Sequence, residues 1–257
     1  MSNSWHIYSC PPSGEPSLLK TVNTPAQARK NEFYYPSVTG VLGLLPNPFM
    51  AKWRGRKMVE LKGIHPEATA EELEKLAWGT RTCPESGDTI GSADFGTKAH
   101  ATIEDYFTTG SSPRRPYWPV VAETVNFLLE NFTFHYAEKV LCCHDLKIAG
   151  TVDYIGKDKN DKWMLADFKF REVKRGAKAV PYDKDRAQLA VEAAMLKHDL
   201  SLDYDPSIYS IIVDVDTGTP HVTKHSEKMR RKGLRRAWVA AYVYWNLSDY
   251  GYVETSV

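Results

Sequence analysis

Apolar and polar positions alternate most clearly between Gly150 and Phe170. At a period of two, Trp163, Leu165, Asp167 and Lys169 fall on one face of a strand, and Met164, Ala166, Phe168 and Phe170 on the other, which is apolar throughout. The stretch before it, residues 148–155, places Asp153 on a face with Ala149, Thr151 and Ile155. Between the two lies Lys157–Lys162, a polar run with turn chemistry around Asn160 and Asp161. A hairpin centred on Asn160 pairs position 153 with 167. Two aspartates directly opposite each other have Cβ atoms roughly 5 Å apart, which is normally destabilising. A shared proton or a bound cation makes such a pair tolerable. Lys169 on the same face favours a hydrolytic metal site over the plain alternative, an exposed hairpin with solvated charges. A slip of one residue would put Asp153 on the opposite face and dissolve the pair.

Taken in order, residues 1–35 are rich in Pro, Ser and Asn and read as an irregular arm with one short edge strand at most. Ser37 caps a helix that ends before Pro46. From Phe49 to Lys62, Lys52, Arg54, Arg56 and Lys57 surround Trp53. This suits a surface that binds a nucleic-acid strand and equally a solvated helix. Thr69 and Glu72 form a capping box for a helix with Leu73, Leu76 and Ala77 inward and Gly79 as its stop. Residues 80–91 read as loop. Ser92 then caps a helix to about Thr108, on which His100 and Glu104 lie at i, i+4 spacing beside the stripe Ala99, Ile103, Phe107. Alone, that pair is an ordinary surface pair.

After the break at Pro113–Pro119, a helix is predicted over 120–134 and a strand over Glu138–Cys143. Beyond the hairpin, Arg171, Lys174 and Arg175 lead away from the Asp/Lys face in a basic loop, either solvated or in contact with phosphate. The helix over 183–198 is apolar almost all round, with Gln188 and Glu192 interrupting it together, so that pair needs polar partners. Residues 208–215 form a strand inside a sheet, and 220–222 a short edge strand. The last helix, from about 226 to 245, begins basic, with Arg231 and Arg235 among its charges. It ends on a stripe of Leu234, Trp238, Ala241 and Trp245 that reads as core.

Composition narrows this little. A formal charge of +1 over 257 residues announces no polyanion partner, so any nucleic-acid surface is a local patch. The four cysteines have no C-x-x-C spacing, which favours reduced thiols in a cytoplasmic compartment and neither zinc nor an iron–sulfur cluster. No run spans a membrane, the N-terminus lacks a secretory pattern, and there is no internal repeat.

In chain order these pieces are a helix with His100, a strand with Gly150-x-x-Asp153, a strand with Asp167-Phe-Lys169 and a helix with Gln188. The set resembles the PD-(D/E)xK nuclease superfamily, most closely its RecB-like branch, which includes small phage nucleases and the mitochondrial genome maintenance exonuclease. The resemblance covers about residues 92–215. Val152 stands where the superfamily name has Pro, and Glu192 replaces the Tyr of the Gln-x-x-x-Tyr motif, so no Tyr role is carried over. The resemblance implies an α/β (α+β) fold: a mixed central sheet flanked by helices, a restriction-endonuclease-like core over 92–225. Residues 36–91 are then a helical addition and 226–257 a C-terminal helix packed on the core, all in one compact domain.

Asp153 and Asp167 are hard ligands suited to Mg²⁺ or Mn²⁺. The resemblance adds the main-chain carbonyl of Phe168, and His100 completes or tunes the set towards Mn²⁺. Lys169 orients the attacking water or stabilises developing charge. Glu104 and Gln188 are positioning candidates. The expected function is a metal-dependent nuclease, foremost an exonuclease on DNA that is single-stranded or has free ends, in replication, recombination or repair. The alternatives are a scaffold that binds nucleic acid without cutting it, a structure-specific endonuclease and an unrelated small-molecule hydrolase. Lys52, Trp53, Arg54, Arg171, Lys174, Arg175, Arg231 and Arg235 are the nucleic-acid-binding candidates. Oligomeric state is left open.

Overall fold

The computed structural model describes residues 5–22, 24–110 and 116–247. The sequence readings at residues 1–4, Pro113 and 248–257 lie outside this range.

The arm expected to be irregular is partly ordered as a small sheet. β1 (Ile7–Ser9) pairs with β2 (Ser17–Leu18) and, after the short helix α1 (Pro25–Ala28), with β3 (Tyr34–Pro36). Ser37 caps α2 (Val38–Gly43) as expected, its side chain accepting from Gly40 N–H. Next come α3 (Pro48–Ile64) and α4 (Ala70–Ala77), which pack on each other through Leu61, Leu73 and Ala77. The Thr69 capping box forms, but Leu76 faces solvent rather than the interior. The predicted loop over 80–91 is a two-stranded hairpin, β4 (Thr80–Thr82) with β5 (Thr89–Gly91). Its turn residues masked the short strands.

α5 (Ser92–Thr109) starts one residue earlier than expected, with Gly91 rather than Ser92 at the N-cap, and stops at a left-handed Gly110. α6 (Trp118–Asn131) follows. The next strand, β6 (Thr133–Cys143), is five residues longer than the sequence suggests. A register shift between Phe134 and Tyr136 blurs its alternation. β7 (Ile148–Lys157) and β8 (Trp163–Arg171) are the predicted hairpin. α7 (Asp183–Asp199), β9 (Ser207–Asp214), the edge strand β10 (Pro220–Lys224) and α8 (Glu227–Leu247) complete the fold.

The main sheet has the order β10-β9-β8-β7-β6, with β8 and β9 parallel and the other pairs antiparallel. The protein is therefore mixed α and β, with a helical layer on each side of the sheet. α2, α7 and α8 cover one side, and their core includes Leu141, Leu165, Leu189 and Ala240. α5 and α6 cover the other, around Phe95, Val125, Met164 and Phe168. The two faces read for β8 separate in this way, although both are buried. α8 crosses α7 at Gly233, where a Cβ would lie 2.7 Å from the Arg186 carbonyl oxygen. The face of α8 turned to the core is Ala237, Ala240, Ala241 and Tyr244. Trp238, expected in that core, is 57% exposed. Leu234, Ala237 and Ala241 define the buried line, and Trp238 falls outside it. Among the described residues no helix is long and apolar enough to cross a membrane.

Candidate active site

The β7–β8 ladder has the register anticipated from a turn centred on Asn160, with Lys157 opposite Trp163 and Tyr154 opposite Ala166. It stops there, one rung short of Asp153 and Asp167. Instead of a rung, the Asp153 Oδ2 accepts the Phe168 N–H at 2.8 Å. The alternation of β7 also inverts at this point. Val152 and Ile155, three residues apart, lie in the same core, and Tyr154 lies in the opposite one. Asp153 therefore does not share a face with Ile155, contrary to the period-two reading. A strand kinked at one residue can turn a side chain out of its layer.

Across the other edge of β7, Ala137 pairs with Tyr154 and Lys139 with Val152, which puts Glu138 opposite Asp153. Glu138 has φ of +49°, a left-handed conformation inside a strand. From α5, His100 Nδ1 approaches Asp153 Oδ2 at 3.4 Å. One ligand atom from each of His100, Glu138 and Asp153 lies within 4.8 Å of the other two. These three side chains line a cleft of about 490 Å³, walled by α5 from Ser92 to Glu104 and by Phe168, Lys169 and Phe170 of β8.

Asp167 takes a separate position. It points to α7 and is 2% exposed. Its Oδ1 accepts from Lys169 Nζ at 2.6 Å and from Gln188 Nε2 at 3.2 Å. Gln188 Nε2 also donates to Glu192 Oε1 at 3.1 Å. The buried Oδ2 of Asp167 and Oε2 of Glu192 have no hydrogen-bond partner among the described residues. Glu192 comes this close to the sheet because Gly150 leaves room for it. A Cβ on Gly150 would sit 3.1 Å from Glu192 Oε1. The sequence was right that Gln188 and Glu192 need partners. Those partners are each other and Asp167.

The charges are tuned by burial and by one another. Burial pushes the Asp167 carboxyl up to about 7, with Lys169 opposing the rise and Asp153 adding to it. Glu138 is also raised to about 7, by burial and then by the charges of Asp153, Glu104 and Asp167. Glu192 is held well above the carboxylate range by burial first and then by Asp167 and Asp153. For Lys169 burial favours loss of the proton, but Asp167 and Asp153 outweigh it and its pKa is raised, so it stays an ammonium. Burial lowers His100, against the pull of Asp153, which leaves it neutral and able to act as a ligand. Three elevated carboxyls around one ammonium are a set that a bound cation would stabilise in the ionised form.

A stability test follows, with its sign fixed by the raised values. Folded Asp167 and Glu138 keep protons that the unfolded chain releases near pH 4. Their contribution is fully present below that point and is lost as pH rises through about 7. In EDTA, the melting temperature should fall between about pH 6.5 and pH 8, above the range in which the lowered His100 and His225 act in the opposite sense. Mn²⁺ should reverse the fall, and Asp167→Asn should flatten it. A metal-free melting temperature that rises over this range would contradict the burial argument.

Of the sequence candidates, His100, Glu104, Asp153, Phe168 and Lys169 meet in the cleft, and Asp167 and Gln188 lie behind Lys169 on the α7 side. Two residues escaped the sequence reading as site members. Glu192 was read as half of a buried polar pair and as a departure from a motif, but was not named a site residue. Glu138 was placed at a strand end, and a turn centred on His144–Asp145 would have set it opposite Thr151; the turn actually spans 144–147, which sets it opposite Asp153. The basic candidates are spread out. Lys52, Trp53 and Arg54 are on α3, where Arg54 is ion-paired with Glu74. Arg171 donates to the Val180 carbonyl at 2.6 Å and stacks over Tyr182, so it braces its own loop, whereas Lys174 and Arg175 are exposed. Arg231 pairs with Glu227 yet stays 72% exposed, and Arg235 has no ion pair among the described residues.

No protein-family model matches this chain, and no curated protein matches it. One solved structure, that of SSO0001, is similar over 75% of this chain and 87% of its own, at 12% identity and a TM-score of 0.27. That likeness is too slight to bear on fold family or activity.

Proposed function

We propose that this protein is a metal-dependent nuclease that hydrolyses phosphodiester bonds in DNA, acting foremost on single strands or free ends. The convergence of His100, Glu138 and Asp153 in a cleft walled by Lys169 carries this reading. One imidazole and two carboxylates suit Mn²⁺ or Mg²⁺, with positions left open for water and substrate. Behind Lys169, the orphaned Asp167 Oδ2 is a further buried oxygen that a nearby cation would favour. A bound divalent cation there would polarise a phosphoryl oxygen and acidify a water.

The chain's own residues supply the rest. Lys169 is held charged at the cleft wall, where its ammonium can meet a non-bridging phosphate oxygen and the negative charge that develops on it. Asp167 and Gln188 fix Lys169 from behind, so it need not be ordered when substrate arrives. Glu104, further along α5, is placed to orient a water or a sugar. The restriction-endonuclease-like core and the RecB-like kinship belong to this proposal, since the order of His100, Asp153, Asp167, Lys169 and Gln188 is what suggests them.

End-labelled linear single-stranded DNA and its covalently closed circle, incubated with Mg²⁺, Mn²⁺ or EDTA, give the test. Degradation of the linear strand alone, abolished by EDTA, is the expected outcome, and the label gives the polarity. Cutting of the circle would make the enzyme an endonuclease. Binding without cutting of DNA or RNA in any metal would remove the catalytic proposal in favour of a scaffold.

A further inference from the structure

α8 carries two opposed faces. Its alanine face packs on the core, and on the other side Arg231, Arg235, Trp238 and Tyr242 follow one another at spacings of four, three and four. At 100° per residue these four lie within a stripe about 60° wide, and the row is about 17 Å long. All four are exposed, Trp238 by 57% and Tyr242 by 52%. Their rings are stacked, with centroids 5.7 Å apart and planes at 15°. Val239, 45% exposed, flanks them. Single exposed apolar residues are common on surfaces, but an aligned Trp–Tyr stack on a helix whose other face is already buried needs a reason.

Charge selects among the occupants. Glu227 is the sole acid of α8, against Lys228, Arg230, Arg231, Lys232, Arg235 and Arg236. A second copy of the chain meeting this face, in either orientation, would bring two strongly basic helices together. A polyanion with flat rings would satisfy both halves of the row at once. Arginines bind phosphates, and parallel aromatic rings offer an outer face on which a base continues the stack.

We propose that the Arg231–Arg235–Trp238–Tyr242 row is a platform for single-stranded nucleic acid. The guanidiniums hold the backbone, and the Trp238–Tyr242 stack receives one or two bases. The choice of ligand rests on the nuclease reading above, whereas the platform itself does not involve the cleft. Because stacking accepts every base, it binds without sequence preference.

The test is fluorescence anisotropy of a labelled oligothymidylate with the full-length protein in EDTA, so that no cleavage is required. Wild type should bind. Trp238→Ala and Tyr242→Ala should each weaken binding about tenfold. Trp238→Phe should keep most of the affinity, because it retains a ring. Arg235→Gln should reduce the slope of log affinity against log salt by about 1. These side chains are exposed, so unchanged melting temperatures should accompany the losses. Three outcomes would overturn the platform: an oligonucleotide affinity indifferent to both ring variants, ring variants that abolish only a monomer–dimer equilibrium, and ring variants that abolish only binding to anionic vesicles. Normal metal-dependent cleavage with intact oligonucleotide binding in the ring variants would sink this inference and leave the nuclease proposal standing. Ring-dependent binding by a protein that never cuts would do the reverse.

Discussion

Asp153→Asn is expected to lower metal-dependent DNA cleavage by at least about 10³-fold while leaving the protein folded. Asp153 is the hub of the cleft. It accepts the Phe168 N–H, approaches His100 and lies opposite Glu138. Asparagine keeps the shape and can still accept the Phe168 N–H through Oδ1, so the break in the β7–β8 ladder survives. What is lost is a negative charge in the ligand set. Calorimetry should show Mn²⁺ affinity falling in parallel, with a melting temperature in EDTA equal to or above that of wild type. The last point follows because Asp153 raises the pKa values of Glu138, Asp167 and Glu192, and removing its charge relieves that repulsion. A variant that turns over within about tenfold of wild type would remove Asp153 from catalysis.

Lys169→Met should reduce turnover by about 10²–10⁴-fold with little change in Mn²⁺ affinity, because in the proposed mechanism the ammonium serves the phosphate and not the metal. It also has a structural consequence that Asp153→Asn lacks. Removing the cation leaves Asp167 buried beside Gln188 and the elevated Glu192, without its strongest opposite charge. Breaking a fully buried pair costs about 3–5 kcal/mol, but Lys169 is 33% exposed, so about 1–2 kcal/mol is the expected loss above pH 7. The double variant Asp167→Asn/Lys169→Met should recover the stability and none of the activity. Urea unfolding and single-turnover kinetics on the same proteins separate the two effects. Recovery of activity in the double variant would show that Lys169 serves only to neutralise Asp167.

Much of the fold was legible because its signals are local. The cap at Ser37, the capping box at Thr69, the hairpin centred on Asn160 and the all-round apolar α7 each depend on neighbours within a few residues. Where the sequence misled, a non-local or irregular feature intervened. β6 begins five residues before the expected Glu138 because a register shift interrupts its alternation. The 80–91 hairpin is too short to show a period. Trp238 looked like core because a helix pattern does not say which of two adjacent stripes meets the rest of the molecule. α8 settles on its alanines, which allow the close crossing at Gly233.

The sequence by itself determined that Asp153, Asp167, Lys169 and Gln188 would stand on consecutive elements around one sheet. Strand period and turn position fix the side-chain direction of a hairpin, and both are written in adjacent residues. Only the tertiary structure decided how they divide. The kink at the Glu138–Asp153 rung turns Asp153 towards His100 on α5, while Asp167 stays in the α7 layer with Gln188 and Glu192. A left-handed residue inside a strand, as at Glu138, depends on packing from both sides of the sheet, which no window of sequence contains. Burial does too, and it is burial that lifts the three carboxyls and, through their charge, keeps Lys169 an ammonium.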